Sequence, residues 1–154
     1  MSSVFDVARY ILSEQEKLYK EKPISTWKLQ KLVYYSQAWA VVWDNEPIFP
    51  EKLEAWANGP VCRELYNVHK GLFNISKEQI TGNISKIKND HKETILQVLK
   101  YYGKKSPHFL SRLTHQEQPW IRARDGLNPG ERGQNEITLD SMSEYYDGLL
   151  ASTN

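Results

Sequence analysis

Apolar residues near the N-terminus recur with the period of an α-helix. Starting from Val4, they follow at positions that one face of a helix brings together: Val7, Ala8, Ile11, Leu12 and Leu18. This spacing predicts a first helix over roughly residues 3–20, with its apolar face turned towards the rest of the protein.

A second helix is predicted over residues 26–43, with Ser25 or Thr26 as its N-cap. One face carries Leu29, Leu32, Val33, Ser36, Ala40 and Trp43, and the opposite face carries Trp27, Tyr34, Tyr35, Ala38 and Val42. A helix that is apolar nearly all round is normally enclosed by its neighbours. We therefore expect this segment to be the central, buried helix of the fold.

The middle of the chain has weaker periodicity. The pieces "PIF" and "LEAWA" indicate irregular or short extended structure. Gly59-Pro60 predicts the start of a third helix over about 60–70, because proline suits the first turn of a helix, and Val61, Leu65 and Val68 would face inward. Residues 72–90 are polar with isolated isoleucines, which predicts a loop with one short strand.

Helical spacing returns in the C-terminal half. One helix is predicted over 89–102, short helices begin at Ser106-Pro107 and at Gln118-Pro119, and a last amphipathic helix contains Leu139, Met142, Tyr146 and Leu149. Phe109, Leu110 and Leu113 would face inward. The pattern as a whole predicts a mainly α fold: one compact helical domain, residues 1–154, with six or seven helices and at most a small β-sheet.

The amino-acid composition limits which partners and which cellular compartment we expect. Lys and Arg number 20 against 19 Asp and Glu, so net charge gives no reason to expect nucleic acid or an anionic membrane as a partner. Cys62 is the single cysteine, which excludes an internal disulfide and suits a reducing compartment. The N-terminal residues lack the pattern of a signal peptide, and the longest uncharged run, residues 32–43, is too short to span a bilayer. We expect a cytoplasmic protein.

The residues offer little chemistry for catalysis. Cys62 has no histidine within reach, since His69 lies two turns along the same predicted helix, and a small buried residue is the better interpretation. His115-Gln116-Glu117 matches the H-x-E of zinc deaminases, but one cysteine cannot supply their P-C-x-x-C. The four histidines are scattered and indicate surface or capping positions. We expect no catalytic residue, no metal site and no cofactor.

The charge is locally uneven. Residues 100–133 hold seven Lys or Arg against three acidic residues, with aromatic residues between them. Such a segment could bind nucleic acid, although no recognised binding signature accompanies it. A solvated face or a docking patch for another protein is the favoured interpretation, because protein interfaces are enriched in Arg and aromatic residues.

Four motifs in order carry a family resemblance: "KLQKLVYYSQAW" at 28–39, "EPIF" at 46–49, "EAWANGPVCRELY" at 54–66 and "LSRLTHQEQPWIRAR" at 110–124. Together they resemble the Panacea domain of SocA-like antitoxins and phage-associated GepA-type proteins. The resemblance implies a mostly helical bacterial or prophage antitoxin that binds a protein toxin directly, with the toxin encoded by the adjacent gene. In SocA-like members it implies instead a proteolytic adaptor that delivers the toxin to a cytoplasmic protease.

Residue by residue, the resemblance rests on matches that define the fold more surely than a site: Lys31, Leu32, Tyr34, Tyr35, Trp56, Gly59, Pro60, Val61, Tyr66, Leu113, Thr114, His115, Pro119 and Trp120. Toxin contact is expected instead on the aromatic and basic surface of the later helices, with Tyr101, Arg112, Arg122 and Arg124 as candidates. The alternative for Arg122 and Arg124 is that they brace the helix at Pro119 against nearby acids such as Asp125.

Overall fold

Seven α-helices and two small antiparallel sheets make up residues 1–152, the part of the chain that the computed structural model describes. The helices are α1 (Val4–Tyr19), α2 (Thr26–Trp43), α3 (Arg63–His69), α4 (Asn89–Tyr102), α5 (Pro107–His115), α6 (Gln118–Ala123) and α7 (Leu139–Ser152). The strands are β1 (Ile24–Ser25), β2 (Leu53–Trp56), β3 (Gly59–Cys62), β4 (Asn74–Ile75) and β5 (Glu136–Ile137). The predicted mainly α fold is confirmed. The proposed domain, 1–154, remains a prediction, and its last two residues lie outside the described part.

Helix α2 is the centre of the fold, as predicted. Every residue from 28 to 40 is buried, and α1, α4, α5, α7 and the β3 strand all pack against this helix. The two ends are less buried: Trp27 in the first turn is half-buried, and Trp43 in the last turn is 44% exposed. The aromatic face of α2 therefore lies inside the protein, and its last turn reaches the surface.

Two buried glutamines of α2 hold the segments that cover it. The Gln30 Oε1 accepts from the backbone N–H of Cys62 (2.9 Å), and the Gln37 Oε1 accepts from that of Ile48 (2.8 Å), while the Gln37 amide donates to the Phe49 carbonyl (2.8 Å). Buried backbone groups need such partners, because an unpaired one costs free energy. These side chains thereby fix the β3 strand and the "PIF" segment against α2.

The prediction that Gly59-Pro60 starts a helix is wrong. Gly59 pairs with Trp56, and Pro60 with Ala55, in a β2–β3 hairpin; α3 begins only at Arg63. The two segments are separated by two residues, the length of a tight hairpin loop, and this pairing outweighs the local preference of proline for a helix start. β2 also pairs with β5, which completes a three-stranded sheet.

Four residues predicted to face inward are substantially exposed: Leu18, Trp43, Val68 and Phe109. Val68 lies on a helix of 7 residues whose buried positions are Leu65 and His69. Phe109 is covered on one side by Lys105, whose Nζ lies 5.0 Å from the ring centroid. Periodicity identified the helices correctly but not the width of each buried face.

Residues 72–90 are mostly irregular, as predicted, with β4 as the one short strand. β4 pairs with β1 immediately before α2. Two short 3-10 turns follow, Lys77–Gln79 and Ile84–Lys86, and the residue after each turn, Ile80 and Ile87, inserts into the core. Among the helices of residues 1–152, each is too short or too polar to cross a membrane.

Candidate functional site

Three separate motifs meet at one point between α2, the β2–β3 hairpin and α5. A Cβ on Gly59 would stand 2.6 Å from the Lys31 Cε, 3.1 Å from the Lys31 Nζ and 3.3 Å from the Thr114 Oγ1. Gly59 also has a φ of +128°, a conformation that other residues rarely adopt. The hairpin backbone therefore lies directly on the Lys31 and Thr114 side chains, and glycine is what allows this approach.

Lys31 is a buried cation without an acidic partner. Lys31 is only 1% exposed. Within residues 1–152, its ammonium forms neither a hydrogen bond nor an ion pair. The Trp27 ring centroid lies 5.5 Å from Nζ, within the range of a cation–π contact. Burial lowers the pKa of Lys31 to about 8, because the charged form is poorly solvated there.

His115 adds a second basic group beside Lys31. Its ring stacks on Trp120 with centroids 4.1 Å apart and is hydrogen-bonded to the backbone of Asn58, while Nε2 is buried without a partner. Burial, and then the charges of Lys31 and Arg124, lower the pKa of His115. The junction thus concentrates basic groups, and within the described residues no carboxylate pairs with Lys31 or His115.

Arg124 lies beneath the hairpin and not on the surface. It is 6% exposed, and its guanidinium donates to the carbonyls of Ala55 (3.0 Å) and Glu131 (2.5 Å) while covering the Trp120 ring. The Trp120 Nε1 in turn donates to the Trp56 carbonyl (2.9 Å). Arg124 therefore has a structural role in the unbound protein, through backbone carbonyls and not through Asp125.

Tyr34 and Tyr35 belong to a buried polar network around Glu117. Tyr35 (2.7 Å) and Tyr146 (2.9 Å) both donate to the Glu117 Oε1, and the Tyr34 hydroxyl lies 3.0 Å from that of Tyr146. Burial raises the pKa of Glu117, and the two hydroxyl donors offset this in part. The network ties α2 to α7 and to the start of α6.

The remaining motif residues are structural in the same region. Leu32, Pro60, Val61 and Pro119 are buried, and Leu113 packs against the core from α5. The Tyr66 ring lies between Trp56 and Trp27, at centroid distances of 4.9 Å and 6.5 Å. These tryptophans and Tyr66 are half-buried, so their outer edges form a surface above Gly59 and Lys31.

Tyr101 lies on a different side, in an exposed aromatic groove. It is 70% exposed and lines a cavity of about 290 Å³ together with Trp39, Trp43, Gln97, Val98, Tyr102, Leu149 and Leu150. The groove is formed by the last turns of α2, α4 and α7. We call it the α4–α7 groove.

Arg122 borders a second groove on the other flank of α7. This cavity, about 390 Å³, lies between α6 and α7 and is crossed by an ion pair from Arg122 to Glu144 (3.1 Å). Leu149 lines both grooves, so they share one wall. Arg112 is exposed on α5, and among residues 1–152 it has no ion pair.

A comparison with known protein families identifies the family of this chain. The family described as "Antitoxin SocA-like, Panacea domain" matches residues 29–121, from the first turn of α2 to α6. The chain belongs to this antitoxin family. The matched segment of the Panacea domain contains the whole junction of Lys31, Gly59 and His115, while α1 and α7 lie outside it.

One curated protein also matches, "Thioredoxin X, chloroplastic" of Arabidopsis thaliana, at 32% identity over 108 residues, which is 70% of this chain and 50% of that protein. The chain thus spans about half the length of the relative it matches. A thioredoxin-type Cys-x-x-C pair requires two cysteines, and these 154 residues contain one. No solved structure matches the Panacea domain of this chain.

Sequence reasoning missed the burial of several polar residues. His69 and His91 are 1% and 3% exposed, although scattered histidines were interpreted as surface or capping residues, and His69 lies 2.9 Å from the Gln30 amide. The interpretation of Cys62 as a small buried residue is confirmed, and burial raises the pKa of its thiol to about 12. Both histidines stand four residues from an apolar residue, Leu65 for His69 and Ile95 for His91, and this helical spacing is the sequence signal that could have indicated their burial.

Proposed function

We propose that this Panacea domain is an antitoxin that neutralises a protein toxin, encoded by the adjacent gene, by forming a direct complex with it. The observation that carries the proposal is the family match over residues 29–121. The described residues also present the kind of surface that such binding needs, with large aromatic side chains exposed beside an arginine. No step of the proposal requires a catalytic residue or a cofactor.

We place toxin contact along α7, where the α4–α7 groove adjoins the Arg122 groove. Trp43 (44% exposed) and Tyr101 (70% exposed) offer large apolar area, and Arg122 offers directional hydrogen bonds at the edge. Central aromatic and arginine residues dominate the binding energy of protein interfaces, while rim charges add little. Arg112 lies on α5 and is a secondary candidate.

The test of the function is co-expression with the neighbouring open reading frame. The neighbour alone should stop growth, and this protein should restore growth and co-purify with it. Restored growth accompanied by loss of the toxin, in a manner that requires a cytoplasmic protease, would favour the adaptor alternative. A harmless neighbour would contradict the antitoxin proposal for this gene pair.

Tyr101→Ala tests the surface. We expect at least about a 10-fold loss of toxin affinity, because the substitution removes a central aromatic side chain from the interface and leaves the fold of the protein unchanged. Phe73→Ala is the matched control, since Phe73 is 86% exposed and its backbone binds Thr26 at the opposite end of α2, about 26 Å from Trp43. Full affinity in Tyr101→Ala with a loss in Phe73→Ala would move the binding surface to the other end of α2.

The basic segment 100–133 gives little support to the nucleic-acid alternative. At least three of its seven cations are engaged within the protein: Lys104 lies over the Tyr19 ring, Arg122 pairs with Glu144 and Arg124 is buried. A protein that binds phosphates through this segment would lose affinity steeply with added salt. Binding of a DNA or RNA oligonucleotide at low salt, with that dependence, would revive this alternative.

A further inference from the structure

The junction of Lys31, Thr114 and His115 contains basic groups without a carboxylate to pair with them. A buried ammonium normally has a carboxylate or several acceptors around it, because burying a charge without compensation is costly. Lys28, one turn earlier in α2, illustrates the usual arrangement: it is 3% exposed and its Nζ lies 2.9 Å from a Glu21 carboxylate oxygen. Lys31 has no such partner among residues 1–152.

The groups around Lys31 have the chemistry of an oxyanion site. The Lys31 Nζ lies 3.1 Å, and the Thr114 Oγ1 3.3 Å, from the position that a Gly59 Cβ would take. The Thr114 hydroxyl already donates to the Ser111 carbonyl (2.9 Å), so Lys31 and His115 are the donors left for an anion. His115 keeps its ring oriented through the Asn58 backbone, which leaves Nε2 unpaired and able to donate when the ring is protonated. Arg124 adds a positive charge felt at His115.

The site lies close to the surface. Trp27, Trp56, Tyr66, His115 and Trp120 are all half-buried, and the Trp27 ring covers one side of the ammonium. A small anion at the ammonium would therefore lie among aromatic side chains, with the Gly59 backbone and Thr114 also close to Lys31. The aromatic surroundings would also strengthen the attraction between the ammonium and the anion, because they exclude water.

We propose that this junction binds a small oxyanion, a carboxylate or phosphate group, through the Lys31 ammonium and the His115 imidazolium. The bound group would supply the acceptors that Lys31 and His115 lack. It would also remove the mutual repulsion of the basic groups there. The proposal does not depend on the antitoxin function or on the α4–α7 groove.

The experiment is calorimetric titration of the full chain at pH 5.5, because burial lowers the pKa of His115 and its ring must be protonated, in a buffer whose only anion is chloride, with inorganic phosphate and separately with acetate. We expect saturable binding that weakens at least about 10-fold in Lys31→Met and in His115→Gln. Lys28→Met is the matched control, because it removes a buried lysine of the same helix that already has a carboxylate partner. Its affinity for the anions should equal that of the natural sequence.

The two anions distinguish the source of the group. Tighter binding of phosphate indicates a free phosphate or a phosphorylated metabolite, and tighter binding of acetate indicates a carboxylate such as a partner protein would carry. Because the variants could unfold, a second measurement uses the natural sequence alone. Saturating anion should raise the pKa of Lys31. This pKa is measured from the carbon-13 chemical shift of the Lys31 Cε as a function of pH. Absence of binding by both anions, together with an unchanged Lys31 titration, would overturn the proposal.

Discussion

Lys31 shows how one residue can oppose the stability of its own fold. Its folded pKa, about 8, lies below the ordinary lysine value of 10.5. Between these two pH values the unfolded chain binds more protons than the folded chain, so the free energy of unfolding rises with pH across this window. Below about pH 8 the folded protein carries the full cost of the buried charge.

Lys31→Met should therefore stabilise the protein at pH 7 by about 1–3 kcal/mol, because the apolar side chain fills a similar volume without a charge. The gain should shrink towards pH 10.5, where the natural lysine is neutral in the fold. Urea unfolding of both proteins at pH 7 and 10.5, in chloride buffer, measures this difference. Equal stability differences at the two pH values would contradict the assigned cost of charge burial.

Glu117 is a buried acidic residue whose ionisation also opposes the stability of the fold. Burial raises its pKa, so the folded protein binds more protons than the unfolded chain above the ordinary value of 4.5, and stability falls as pH rises through this window. Glu117→Gln keeps the oxygen that accepts from Tyr35 and Tyr146 and removes the charge. We expect the pH dependence of unfolding above pH 4.5 to become weaker in this variant.

Glu117→Ala is the contrasting change. It leaves the Tyr35 and Tyr146 hydroxyls without their acceptor and opens a cavity, which should cost about 2–4 kcal/mol at any pH. The two variants together separate the role of the oxygen from the role of the charge. Equal stability of the two variants at pH 7 would show that the hydrogen bonds contribute nothing measurable.

The residue types at the junction could be recognised from the sequence, but their arrangement could not. Lys31, Gly59 and His115 were identified through the motifs that contain them, yet nothing local indicates that Lys31 lacks an acidic partner. That fact depends on which side chains three distant segments bring together. Tyr101 was identified differently, as one of the aromatic residues that stand between the basic residues of segment 100–133.

At the scale of elements, the β2–β3 hairpin is fixed by one glycine. Gly59→Ala should destabilise the protein by about 2–3 kcal/mol, because alanine resists a φ of +128° and its Cβ would meet Lys31. Gly126→Ala is the matched control: its φ is +85° and a Cβ there would meet nothing within 4 Å. The control should cost only about 1 kcal/mol, as thermal unfolding of both would show.

A cost in Gly59→Ala no larger than in Gly126→Ala would mean that the hairpin relaxes without disturbing Lys31. The helices themselves followed from periodicity and capping residues, as for α5 with Ser106 and Pro107. The hairpin did not, because the same Gly-Pro pair suits a helix start and a strand. The choice between them is made by the pairing of β3 with β2, which local sequence does not encode.

For the whole molecule, the segment that defines the family is smaller than the folded unit. Val4, Ile11 and Tyr146 are fully buried, yet α1 and α7 lie outside residues 29–121. A fragment of residues 29–121 should lack cooperative thermal unfolding, because the α2 faces that contact α1 and α7 would be exposed to water. Circular dichroism melting against the full chain measures this. A cooperative transition in the fragment would contradict the expectation.

The position of α7 also affects when the protein becomes able to act. Synthesis proceeds from the N-terminus, so the 14 residues of α7 are added after every other described helix and strand, over roughly 1–3 s at ordinary translation rates. Until then Tyr146 is missing from the core, and neither groove beside α7 exists. On the proposed function, a chain synthesised only as far as residue 138 has no complete toxin-binding surface, and neutralisation would require the synthesis of α7.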